Sequence, residues 1–85
     1  MRWTIVWEPA AAREFDRLAV AMQDRIDAAL SRLAITGLGN LRRLEGTASK
    51  ELRLRVGKYR IRLIEEPDTG TLRILHIGLR NHIYD

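Results

Sequence analysis

Eighty-five residues, 46% apolar and 31% charged, suffice for one folded domain with a modest core, expected over residues 1–85, and exclude a disordered chain. The absence of cysteine removes disulfides, thiolate metal sites and cysteine nucleophiles, and no apolar run reaches membrane-spanning length, so a cytoplasmic protein without membrane contact is the expectation. The net charge of +4 is unevenly spread: Arg42 to Arg62 hold eight basic residues against Glu45 and Glu51, a local +6, which leaves the remainder at −2 and points to a local anionic partner.

The opening MRWTIVW is too short for the apolar part of a signal peptide. It alternates Trp3, Ile5 and Trp7 against Arg2, Thr4 and Val6, the pattern of a strand with one buried face. Pro9 suits the first turn of a helix, where its missing N–H would be unpaired anyway. Ala12, Phe15, Leu18, Ala19 and Met22 then recur at helical spacing, opposite Arg13, Glu14, Asp16 and Arg17. A second helix turns Ile26, Ala29, Leu30 and Leu33 inward and Asp24, Arg25, Asp27 and Arg32 outward, and the chain is expected to reverse between the two near Val20 to Gln23. TGLGN supplies glycines for the C-cap, and LRRLEGTASK reads as a loop anchored by Leu41 and Leu44. Strands are expected at about Glu51 to Val56, Tyr59 to Glu65 and Leu72 to Gly78, with turns at Gly57-Lys58 and in PDTG. The fold class is therefore α+β: an N-terminal strand, a helical hairpin and a three-stranded antiparallel meander, with the helices packed on one face of the sheet.

A two-residue Gly-Lys loop is compatible with a type II′ hairpin turn and sets a register in which Arg55 faces Arg60 and Arg53 faces Arg62. Leu52, Leu54, Val56, Tyr59, Ile61 and Leu63 then share the core face, and all four arginines occupy the other. A slip of one residue would send the arginines into the core, so the register is well specified. The plain explanation of such a face is the wet side of a half-buried sheet. Two details point further. Like charges directly across a strand pair destabilise by roughly 0.2–1 kcal/mol each, and arginine offers a planar, permanently protonated fork suited to phosphate.

In order along the chain, PAAAREFDRL, the second amphipathic helix, LRRLEG, LRLRVGKYRIRLI and LHIGLRNHIY resemble the RelE/ParE toxin superfamily of type II toxin–antitoxin systems. The likeness covers nearly the whole chain, and RVGKYRIRL and GLRNHIY are its most diagnostic pieces. It implies a RelE-like fold and one of two activities. RelE-like members cut mRNA on the ribosome without a metal, whereas ParE-like members inhibit DNA gyrase and are not nucleases. By motif position, Arg53, Arg55, Arg60, Arg80 and Tyr84 match the RelE-type catalytic set, and Tyr84 favours the nuclease because ParE-like members commonly lose it. Lys50, Lys58, Arg62 and His82 join the expected RNA-binding surface. The implied partners are a cognate antitoxin, RelB-like or other, and ribosome-bound mRNA, with gyrase as the alternative. RelE carries lysines where this chain has Arg53 and Arg55, and the sequence, read to Asp85, is not expected to form the C-terminal helix of some members.

Metal-free cleavage requires activation of a ribose 2′-OH, stabilisation of the extra charge on phosphorus and protonation of the leaving 5′ oxygen. Arginine serves the second need but is a poor base. Tyr84 could donate a proton or stack on a base. His82 could act as acid or base, while its simplest role is an exposed polar residue, and Glu51, Glu65 and Glu66 could be bases or charge partners. The general base therefore stays open. His76, in an apolar strand, reads as a satisfied structural histidine. No cofactor is implied, and neither histidine belongs to a metal-ligand pattern.

Overall fold

A computed structural model describes residues 2–43 and 51–79. The chain runs β1 (Thr4–Trp7), α1 (Pro9–Asp16), α2 (Val20–Thr36), β2 (Leu41–Arg43), β3 (Glu51–Val56), β4 (Tyr59–Glu66) and β5 (Thr71–Leu79). The α+β class and the helices on one face of the sheet stand. The sheet itself is larger than the expected meander. It has five strands in the order β1-β5-β4-β3-β2.

At one end β1 pairs in parallel with β5, with Ile5 opposite Leu72 and Trp7 opposite Ile74. The apolar side of the first strand thus extends the apolar side of the last. At the other end β2 pairs antiparallel with β3 where a loop was expected, with Leu41 opposite Leu54 and Arg42 opposite Arg53. Leu41 packs on the core from there, and Leu44 lies outside the described residues. A three-residue strand is too short to show alternation, which is why its sequence reads as loop.

The hairpin of β3 and β4 has the expected register from Glu51 opposite Ile64 to Val56 opposite Tyr59. Gly57 has φ 58° and Lys58 stays at negative φ, the signature of a II′ rather than a I′ loop. Leu54, Ile61, Leu63, Leu72 and Ile74 are 1% exposed or less, and they meet Ile26, Leu30, Leu33 and Ala34 of α2. Burying side chains of this size stabilises by about 1.5–3 kcal/mol each before chain entropy is counted.

Between the helices the chain reverses at Arg17 to Ala19, earlier than expected. Neither glycine nor proline marks the place. Ala19 is extended (φ −60°, ψ 147°), and its carbonyl accepts from the N–H groups of Met22 and Gln23 to start α2. The Gln23 side-chain amide donates back to the Phe15 carbonyl at 2.9 Å and so satisfies a carbonyl at the end of α1. The early break shifts the inward face. Ala11, not Ala12, is the fully buried alanine of α1, and Ala19 is exposed. Phe15, Leu18 and Met22 do pack on the core, Phe15 meeting Trp7 edge-on at 5.0 Å. Gly37 ends α2 at φ 74°, its N–H returning to the Leu33 carbonyl.

Candidate functional site

Alternation along each strand and the observed registers assemble a basic surface on the side of the sheet opposite α1 and α2. One row crosses four strands as Arg42 on β2, Arg53 on β3, Arg62 on β4 and His76 on β5, each opposite the next. A second row holds Arg55, Arg60 and Gly78. The four hairpin arginines thus share a face as expected, and Arg42 joins them because β2 is a strand. Three arginine pairs stand directly opposed: Arg42 with Arg53, Arg53 with Arg62, and Arg55 with Arg60.

The Glu51 carboxylate is built into the face beside these arginines. Glu51 takes a bidentate pair of hydrogen bonds from Arg62, Nε to Oε2 at 2.8 Å and Nη2 to Oε1 at 2.7 Å, with its side chain only 9% exposed. The Arg62 hydrogen bonds hold the Glu51 carboxyl below the usual glutamate range; burial opposes them, and the charges of Arg62, Arg53 and His76 add to the lowering. Arg62 is therefore committed to a partner inside the protein, a role its sequence position did not reveal. Arg55 is exposed. Lys58 sits at the tip of the hairpin, its Nζ 5.8 Å from the centroid of the Tyr59 ring.

His76 departs most from expectation. Leu72 and Ile74 are buried, so strict alternation would put residue 76 in the core. Arg62 is opposite His76 but Leu63 is opposite Ile74, so β5 carries one additional residue, Leu75. That bulge returns Ile77 to the core and turns His76 onto the basic face, where its side chain is 46% exposed. β1 has already left the sheet there, and Glu14 of α1 covers the β5 edge. Its Oε1 accepts the Ile77 N–H at 3.0 Å and lies 3.3 Å from His76 Nδ1. Reading β5 as an uninterrupted alternation hides both His76 and Glu14. The only sequence hint is a helix-face glutamate, and it names no partner.

Farther along β5, Arg73 is engaged by Glu66 at 3.0 Å and Glu8 at 4.0 Å. Lys50, Arg80, His82 and Tyr84 lie outside the described residues. Among the described residues, no three His, Asp or Glu side chains gather closely enough to hold a metal, and no helix is long and apolar enough to cross a membrane.

The arrangement of strands and helices is that of RelE-type toxins. The archaeal RelE–RelB complex from Pyrococcus horikoshii superposes with a TM-score of 0.81 at 20% identity, covering 96% of this chain and 99% of that one. The RelBE2 toxin–antitoxin complex from Mycobacterium tuberculosis gives 0.79 at 20% identity over 94% of this chain and 100% of its own. A YoeB/ParE toxin from Agrobacterium tumefaciens gives 0.75 at 16% identity over 94% and 99%. At these identities the likeness is one of fold. Residues 5–84 match the family described as the ParE toxin of the type II toxin–antitoxin system, parDE. The chain belongs to that family and is a toxin of the RelE/ParE superfamily. No curated protein sequence matches it.

Proposed function

We propose that this toxin is a metal-independent endoribonuclease that cuts ribosome-bound mRNA in the cytoplasm and is silenced by a cognate, RelB-like antitoxin. The observation that carries the reading is the face on which Arg42, Arg53, Arg55 and Arg60 stand in adjacent rows, opposite the helices. An RNA backbone relieves their mutual repulsion. Fixed guanidinium groups also supply the charge stabilisation that a pentacoordinate phosphorus needs. Two of the solved structures it resembles are toxin–antitoxin complexes of the RelB–RelE type, which supports the antitoxin class.

Arg60→Ala, Arg80→Ala and Tyr84→Phe are each expected to reduce mRNA cleavage in a reconstituted translation reaction by about 10²-fold or more, with the protein still folded. Full cleavage by the triple variant sinks the assignment of these residues. The second reading, inhibition of DNA gyrase, is favoured by the family match to ParE. There the basic face binds protein. Loss of supercoiling by purified gyrase, with mRNA untouched on the ribosome, establishes it, so both assays are run on one preparation.

A further inference from the structure

Among the described residues the arginines of this face supply charge but cannot serve as a base, and its Glu51 carboxylate is taken up by Arg62. His76 and Glu14 bear on that gap. Four observations converge on them. The bulge at Leu75 aims His76 out of the core and onto the catalytic face, directly opposite Arg62. Glu14 approaches its Nδ1 to 3.3 Å. The same carboxylate oxygen is pinned by the Ile77 backbone N–H at 3.0 Å, so it is a fixed partner rather than a passing one. Finally, Gly78, the next position of β5 on that face, lies opposite Arg60 and projects no side chain.

A carboxylate on Nδ1 selects the tautomer with the proton there and leaves the Nε2 lone pair to accept another. Resting on the nuclease reading above, we infer that His76 is the general base of RNA cleavage and that Glu14 is the residue that positions it. His76 Nε2 takes the proton of the ribose 2′-OH. The O2′–P bond forms and the P–O5′ bond breaks, giving a 2′,3′-cyclic phosphate. The 5′ oxygen leaves with a proton from water, and the imidazolium returns its own proton to solvent. Among the described residues, the charged groups facing His76 are Glu14 from α1, Arg62 from β4 and, beyond it, Glu51 from β3. Glu14 touches the ring directly, whereas the Glu51 carboxylate is taken up by Arg62. Arg62 in turn is tied to Glu51, which keeps its guanidinium out of His76's way.

Single-turnover cleavage of mRNA on saturating ribosomes, measured across pH 5 to 9, tests this. His76→Gln is expected to lose about 10²-fold or more in the single-turnover rate constant and to lose the acidic limb of the pH profile. Glu14→Gln keeps an acceptor for the Ile77 N–H and removes only the charge. It is expected to lose about 10-fold in that rate constant and to move the acidic limb to lower pH. His76→Arg keeps a cation and should not rescue; recovery of the wild-type rate by that variant overturns the base assignment. So does a His76→Gln variant that cuts at the wild-type rate with the acidic limb intact. Wild-type protein that leaves ribosome-bound mRNA whole overturns the nuclease reading and this inference together, which separates the two failures. Circular dichroism checks that each variant is folded, and the Glu14→Gln profile decides alone if His76→Gln fails to fold.

Discussion

Arg62 and His76 are opposed across β4 and β5, and each is met by a glutamate from another element. Arg62 meets Glu51, a nearly buried carboxylate, through two short hydrogen bonds. His76 meets Glu14 through one longer contact, with both side chains more than a third exposed. The first pair joins a permanent cation to a carboxylate held in its ionised form, so it changes little over the accessible pH range. The second includes the one side-chain type whose ordinary titration falls near neutrality. Adjacent positions on one face therefore hold a tight ion pair and a looser, partly exposed histidine–carboxylate contact. Basic residues on a shared surface need not share a task.

The largest effect on stability is expected at the structural pair. Glu51→Gln keeps the shape but removes the charge from a bidentate contact, at a cost of roughly 1.5–3 kcal/mol. For a chain of this size each kcal/mol corresponds to about 4–8 °C in Tm. Replacing both partners, Glu51→Leu with Arg62→Met, leaves no stranded charge and should return the protein to within about 1 kcal/mol of the parent. A double variant no better than the single one means that the pair does more than satisfy itself. The same pair sets an acid response. The folded carboxyl of Glu51 lies below its unfolded value, so its contribution is complete above the ordinary glutamate value of about 4.3 and disappears as pH falls through the folded value. Urea titrations from pH 6 down to pH 2 should show that loss in the parent and a shallower one in Glu51→Gln.

A smaller effect is expected at the turn that puts both pairs in register. Gly57 has φ 58°, and a Cβ built there would come within 3.1 Å of the Arg25 guanidinium. Gly57→Ala should therefore cost about 1–2 kcal/mol, measured by denaturant unfolding. Arg25 is a flexible exposed side chain and can yield, so backbone strain is the dominant part. The apolar alternation of Leu52, Leu54, Ile61 and Leu63 holds the register independently. The NMR chemical shifts of the His76 ring should accordingly stay in place while Tm falls. A displaced His76 signal means that the turn, not the core, sets the register.

These elements were not equally legible. The β3–β4 hairpin could be read to the residue because two strong patterns, alternation and a Gly-Lys loop, agree. The helix reversal was misplaced because its signal is a tertiary contact, the Gln23 amide on the Phe15 carbonyl, and not a glycine or proline. β2 was missed because three residues cannot display a period. His76 reads as a structural histidine and its place on the basic face is not legible, because a bulge changes the side on which every later residue falls and no residue in TLRILHIGL announces it. Arg62 falls on the expected face opposite Arg53, and Glu51 is legible as a charge partner for the arginines without showing which one it takes: the Glu51 contact runs diagonally between strands. The shared face of the hairpin arginines was thus legible, and the His76–Glu14 contact was not.

The smallest stability effect is expected at Glu14, and it sharpens the contrast with Glu51 most directly. Glu14→Gln retains an amide oxygen where Oε1 now accepts from Ile77, so the edge of β5 stays capped. What disappears is an ion pair between partly exposed groups, a class worth about 0–1 kcal/mol. Its Tm should stay within a few degrees of the parent, whereas Glu14→Ala uncovers the Ile77 N–H and should cost about 1–2 kcal/mol. If Glu14→Gln instead destabilises as much as Glu51→Gln, the His76 pair is a second structural clamp and the division of labour on this face is lost. If it leaves Tm in place while the cleavage profile shifts with pH, charge at Glu14 acts on the reaction and not on the fold, which is the difference between the two pairs that their geometry implies.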